Sequence, residues 1–310
     1  MLLLSVGKER IRSYIFLLIV AAIWGIAGPV IKYTLPDFTP MIFLTYRLFV
    51  SSILMLPIAW VLKPKFPTSR REIIMLSIAG LFGTTFNLGL LFYGLNLSNV
   101  LDATIIGNTS PIFVILGGVF FLREKVNKKE LLGIIVTLLG TLIIIVQPLF
   151  DKGFVGTSSL LGNIFLTLAN ITWVVYIVIT KTELRHKIDI FLITTYMFIL
   201  GFITSLPFAL FEAKGLNNLL LIVSLAPFKA HLGVWYLAVL SGSLGYFLYQ
   251  EGQKKIEASE ATLFGYLSPL FSTPLAVFWL KEKITTTFII GTLITATGVF
   301  IAEYRRNSKK

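Results

Sequence analysis

The sequence predicts an all-α membrane protein, ten transmembrane helices arranged as two inverted five-helix repeats. Three observations predict it: a composition unsuited to water, ten apolar runs joined by short connections, and a second half that echoes the first. Of the 310 residues, 56% are hydrophobic and 14% charged, against about 25% charged in a soluble domain. So little polar surface cannot cover so much apolar side chain. A mean hydropathy of +0.86, carried by long runs along the whole chain rather than by one tail, puts the whole chain in the bilayer.

A hydrocarbon core about 30 Å thick needs ~20 apolar helical residues. Backbone facing lipid must satisfy its own hydrogen bonds, so each run is a helix. The first run, 14–35, follows Lys8, Arg10 and Arg12. It resembles a signal peptide but is about twice the length of an h-region, and it has a counterpart later in the chain. Runs 38–62 and 72–96 flank the basic connection that holds Lys63, Lys65, Arg70 and Arg71. Run 100–122 ends at Arg123-Glu124-Lys125, and 129–147 completes the first set. The second set is 159–181, 188–211, 230–253, 259–280 and 286–304. The domains are therefore residues 14–147 and 159–304, with no segment long enough for a soluble domain.

With the N-terminus in the cytoplasm, cytoplasmic segments hold 20 of the 27 Lys and Arg residues and external loops hold 5. That bias orients both termini inward. The net charge of +12 is thus spread as orientation signals, and no nucleic-acid partner is expected. The chain has no Cys, which excludes disulfides and thiolate metal sites. His186 and His231 fall in predicted loops and are not spaced as ligands, so no metal is expected. No P-loop, paired inward His or Ser/His/Asp set is present, so neither an enzyme nor a cofactor is expected.

Pro111 and Pro269 lie 158 residues apart, and at that offset Gly94 meets Gly252, Gly107 meets Gly265, Glu124 meets Glu282, and Gly140 meets Gly298. Upstream, Trp24 and Lys32 match Trp173 and Lys181, and Pro57 matches Pro207. Each copy holds five spans. Five is odd, so the copies enter the membrane in opposite directions, about a pseudo-two-fold axis in its plane. A midplane site could then open to either side through two mirror-related conformations.

Trp24-Gly25 with Lys32, Arg47 in the second span, Ala103-Thr104 to Ser110-Pro111, and the Arg123-Glu124-Lys125 end resemble the drug/metabolite transporter superfamily. More narrowly, the chain is similar to an EamA-type exporter with two EamA repeats, from about Tyr14 to Glu303. The resemblance implies ten helices in the inner membrane of a prokaryote. It also implies secondary export of small metabolites, amino acids or their analogues among them, either coupled to protons or by facilitated efflux. The first, third, fourth, sixth, eighth and ninth helices would enclose a central cavity. Met197 stands where the second repeat would match Arg47, so a paired-arginine site is not expected. The competing class is a structural or receptor component that reuses the bundle without transport, which a sealed, dry interior would favour.

Thr104, Gly107, Asn108 and Pro111 share one face of the fourth span; Thr262, Gly265, Tyr266 and Pro269 repeat it in the ninth. That face is either a cavity wall, with Asn108 and Tyr266 on the ligand, or a seam of close packing. Trp24, Trp173 and Tyr176 offer flat faces deep in the first and sixth spans, for ligand or for packing, and Asn170 stands one turn before Trp173. Asn87, Tyr93, Tyr246, Gln250 and Glu251 are the polar residues of the third and eighth spans. Glu251 is either a solvated end residue or a buried carboxylate able to couple protons. Arg47, ~14 Å into its span, needs a partner, water or a substrate anion. Lys32 and Lys181 can snorkel. Asp102 and Glu260 complement helix dipoles, and Glu124 and Glu282 cap helix ends as solvated neighbours of Lys125 and Lys283.

The charge bias makes a direct prediction. Cysteines placed singly at Ser5 and Ser308 should be shielded from an impermeant thiol reagent in intact cells. Labelling of either from outside contradicts the topology.

Overall fold

The computed structural model describes residues 2–62, 69–110, 112–113, 116–117, 128–152, 157–185, 188–254, 261 and 264–304. They are helical throughout their ordered elements, with no strand among them. The helices are α1 (Leu2–Thr34), α2 (Pro40–Leu62), α3 (Arg70–Leu97), α4 (Val100–Gly107), α5 (Lys128–Lys152), α6 (Thr157–Arg185) and α7 (Ile190–Ala213). They continue with α8 (Leu216–Leu225), α9 (Phe228–Gln253), α10 (Pro269–Pro274) and α11 (Thr286–Tyr304).

Seven of these, α1, α2, α3, α5, α6, α7 and α9, are long and apolar enough to cross a bilayer. The other three predicted runs fall on α4, α10 and α11. The fourth and ninth are described only in part, and α11 is the shorter apolar stretch Thr286–Ile301 by the same measure. α8 lies in the connection expected between the spans 188–211 and 230–253. Ten residues rise only ~15 Å, so α8 cannot span. It begins after a left-handed turn at Lys214 and Gly215 (φ 60° and 122°) and leaves Leu216, Leu220, Leu221 and Leu225 exposed. Elsewhere, too, apolar side chains face outward: Phe211, Trp60 and Phe278 are among the most exposed residues. This is the outer face of a multi-pass membrane protein, where lipid takes the place of water.

The helices pair as α1 with α9, α3 with α6, α2 with α7, α5 with α11, and α4 with α10. Exchanging the two halves maps this list onto itself. Glycine makes the closest pairings. A Cβ on Gly94 would lie 2.7 Å from Leu166 Cγ, and a Cβ on Gly252 2.8 Å from Leu17 Cγ. Gly94 corresponds to Gly252 and Leu17 to Leu166, so one contact is made twice. The α5–α11 crossing is reciprocal in the same way. Gly140 abuts Thr295, Gly298 abuts Thr137, and Gly291 abuts Ile144. Numbers rise along α5 as they fall along α11, so these equivalent helices run antiparallel. Here only a hydrogen atom fits between the backbones, the small-residue packing that substitutes for the hydrophobic effect in lipid.

Several buried threonine hydroxyls are satisfied within their own helix. Thr137, Thr141, Thr180, Thr194 and Thr195 each donate to the carbonyl four residues earlier, the usual accommodation of Thr in an apolar helix. His231, expected in a loop, lies instead in the first turns of α9, its Nδ1 2.9 Å from the Tyr46 hydroxyl.

Replacing Gly298 by Val should destabilise the protein by about 1–3 kcal/mol or more through overpacking against the Thr137 backbone. The expected readout is a lowered melting temperature and monomer yield in detergent. Wild-type melting would contradict the crossing.

Candidate functional site

A cavity of about 290 Å³ lies at the centre of the bundle. Its walls come from α1, α3, α4, α6, α9 and the segment around α10, with a single residue from α2. Trp24 and Trp173, equivalent residues of the two halves, meet edge to face with ring centroids 5.6 Å apart. Tyr246 stands 5.6 Å from Trp24 and 6.0 Å from Trp173. Tyr249 completes the cluster at 5.1 and 5.8 Å. Edge and tilted contacts of this kind are the favoured geometries of aromatic pairs.

The helices that hold these rings are locally rewound. α3 is π-helical over Leu81–Phe86 and α9 over Tyr236–Leu244. A π turn widens the helix and takes carbonyls out of the regular ladder. Gly83 and Ser241 sit 158 residues apart, at equivalent places in the two turns. The Ser241 carbonyl accepts from Trp24 Nε1 at 3.0 Å, and the Gly83 carbonyl accepts from the Tyr246 hydroxyl at 3.1 Å. The rewound segments therefore fix the orientation of two cavity rings. Irregular backbone at membrane depth is tolerated where it is buried in protein or lines a cavity.

Gly107 and Gly265 differ from the packed glycines of the helix pairings. Among the described residues a Cβ on either would meet nothing within 4 Å, and both line the cavity. Thr104 and Asn108 line it beside Gly107, and the Thr104 hydroxyl donates to Ser272 Oγ at 3.0 Å, bridging the fourth and ninth segments.

Asn87 lines the cavity from α3 and donates to the Ala169 carbonyl at 2.6 Å; Asn170 donates to the Ile106 carbonyl at 2.6 Å and accepts from Ser110 at 2.9 Å. Arg47 is the one α2 residue in the wall, and it is 2% exposed. Its guanidinium carbon lies 5.9 Å from the centre of the Phe92 ring. Among the described residues no carboxylate lines the cavity.

Other candidates stand outside the lining. The Tyr93 hydroxyl donates to Glu212. Tyr176 is wholly buried behind Trp173, and Gln250 is equally buried, donating to the Tyr176 hydroxyl and to Thr194 Oγ1, both at 3.2 Å. Tyr266, Pro269 and Glu251 are half-buried and off the cavity wall. Pro111 lies outside the described residues. Tyr249, Ser241 and Phe264 line the cavity without having been singled out. Aromatic residues are frequent throughout this sequence, and only the position of Tyr249 one turn from Tyr246 could have indicated it.

Helix ends are tied together beside one end of the cavity. Beyond Ile31, Leu95 and Val100, Lys32 Nζ donates to the Leu95 carbonyl at 2.7 Å and to the Ser98 carbonyl at 2.5 Å. Glu282 accepts from the Val100 and Leu101 N–H groups at 2.7 and 2.9 Å. Lys32 therefore does more than snorkel, and Glu282 is no solvated neighbour of Lys283. The lysine caps the end of α3 and the glutamate the start of α4, each favoured by the helix dipole. Burial raises the Glu282 pKa above the ordinary carboxylate value, opposed by its two N–H donors and Lys32. Glu212 caps α2 in a similar way through Met41 and Ile42 N–H. Asp102, in the first turn of α4, is buried and accepts from Asn163 Nδ2 at 3.0 Å.

The profile of the EamA-like transporter family matches residues 11–146 and 160–304. An uncharacterized transporter of Archaeoglobus fulgidus is 26% identical over 302 residues, covering 96% of this chain and 99% of its own length. The uncharacterized transporter YyaM of Bacillus subtilis is 27% identical over 308 residues, covering 94% and 95%. A solved crystal structure at 14% identity shares the fold, with a TM-score of 0.61 over 98% of this chain and 99% of that one.

The native absence of Cys allows a direct check on the walls. Cysteine at Gly107 or Gly265 should react with a small neutral thiol reagent in detergent, whereas cysteine at the packed Gly94 should stay unreactive in folded protein. Protection of both 107 and 265 would contradict the cavity assignment.

Proposed function

Because the chain belongs to the EamA-like transporter family, we propose that it is a secondary transporter that exports small metabolites across the cell (inner) membrane by alternating access, with amino acids the first candidates. The observation that carries the proposal is the central cavity and its position between equivalent surfaces of the two repeats. Trp24 and Trp173, Gly107 and Gly265, and the Gly83 and Ser241 carbonyls are each a repeat-related pair, and each pair belongs to the cavity or its support.

The antiparallel packing of α5 on α11 and the duplicated Gly–Leu contact support ten spans in two inverted repeats, residues 14–147 and 159–304. An axis along the membrane normal would make equivalent helices parallel. An inverted relation gives each closed end a counterpart on the opposite side. The Lys32 and Glu282 caps tie helix ends together at one end, and the equivalent positions of the other repeat hold Lys181 and Glu124. Export then consists of releasing one clasp as the other forms. Arg47, Asn87, Asn108 and Asn170 in the cavity wall favour a hydrated interior over the sealed, dry one of a non-transporting bundle.

Asn108 contributes a polar side chain to a largely apolar wall. Asn108→Leu should lower efflux roughly tenfold, the effect of about one hydrogen bond of ~1.4 kcal/mol. Trp24→Ala, which also removes the donor to Ser241, should lower it at least as much. The assay is a screen of efflux from loaded proteoliposomes with protein yield held at wild type. Undiminished efflux by both variants would reject the cavity as the pathway.

A further inference from the structure

A second property of the cavity rests on its being the transport pathway, and it concerns charge. Arg47 is almost wholly buried and lies well inside α2, where snorkelling to water is difficult. Its Nε is buried without a hydrogen-bond partner among the described residues, and its neighbours are a Phe92 ring and the Tyr246 phenol. No carboxylate shares the cavity wall among those residues. The hydroxyl of Tyr249, another lining residue, is also buried without a partner there. Arg offers five donors and no acceptor, so two unmet donor groups face an apolar, aromatic enclosure that supplies no negative charge.

Comparison of the repeats isolates the arginine as a local addition. α2 and α7 are equivalent and pack on each other. α7 sends no residue into the cavity, and Met197, in the position equivalent to Arg47, is fully buried against Gly83. The scaffold therefore folds at this position with an apolar side chain of similar length. An uncompensated buried cation is costly, and a planar guanidinium matches a carboxylate with two parallel hydrogen bonds.

We propose that Arg47 is the recognition point for an anionic group on the substrate, so that the cavity takes small organic anions, carboxylates foremost, with a flat apolar body against Trp24 and Trp173. The enclosure is matched to such a molecule. Charge lies at one point, a cluster of aromatic rings and a larger set of aliphatic side chains make up most of the rest, and Asn87, Asn108 and Asn170 add polar positions. The arginine belongs to one repeat alone, so the anion sits off the pseudo-two-fold and the bound molecule has one orientation.

The test uses purified full-length protein and the change in tryptophan fluorescence on adding phenylacetate or the neutral phenylacetamide. Wild type should bind the acid roughly tenfold tighter than the amide, the scale of one charge-assisted hydrogen bond. Arg47→Met, which copies the equivalent residue, should abolish that preference with melting temperature retained, and Arg47→Lys should keep part of it. Equal binding of acid and amide by wild type, no saturable binding of either, or an undiminished preference in Arg47→Met overturns the proposal. Asn108→Leu separates this from the transport reading. Efflux lost in that variant while Arg47→Met keeps the preference rejects the anion point and leaves the pathway intact.

Discussion

A backbone carbonyl in hydrocarbon has no water to bond, and that constraint underlies the whole structure. It makes each apolar run a helix and confines departures from regular helix to protected ground. The departures that occur are informative. The π segments of α3 and α9 lie at equivalent places, and their carbonyls are taken up by Trp24 and Tyr246. The ends of α2, α3 and α4 are met by Glu212, Lys32 and Glu282 from distant parts of the chain. Satisfying the backbone thus also positions the cavity rings and ties its end.

The same constraint explains the two kinds of glycine. Lipid provides little drive for helices to associate, so association relies on close fit and small residues. Gly94, Gly140, Gly252 and Gly298 are filled against by neighbours, and Gly107 and Gly265 face open space. In sequence these are indistinguishable. Each recurs at the one offset, and a recurring glycine signals that a Cβ is unwelcome without saying whether backbone or ligand occupies the space.

Much of the architecture was nevertheless legible. The repeat offset relates residues far apart in the chain, and the duplicated contacts of Gly94 with Leu166 and Gly252 with Leu17 follow it. Hydropathy located the long helices because their periodicity is dominated by a single solvent. It missed α8, which falls in the connection between the spans 188–211 and 230–253, and it could not foresee the π segments of α3 and α9. Polar residues were harder. Asn87, Asn108 and Asn170 reach the cavity, whereas Tyr93, Tyr176 and Gln250 bond other helices. Membrane interiors require both kinds of polar contact, and the direction a side chain takes is set by tertiary packing.

Symmetry supplies the scaffold, and its breaches supply chemistry: Arg47 faces Met197 across the repeat, and Asn108 faces Tyr266. The central claim is that the two ends of this cavity open in alternation. Spin labels on Asn96 and Lys283 report the end clasped by Lys32 and Glu282; labels on the equivalent Lys254 and Lys125 report the other. Electron–electron distance measurements in proteoliposomes should resolve two populations for each pair. Conditions that lengthen one distance should shorten the other. A single, unchanging distance at both ends, with transport intact, would contradict the account.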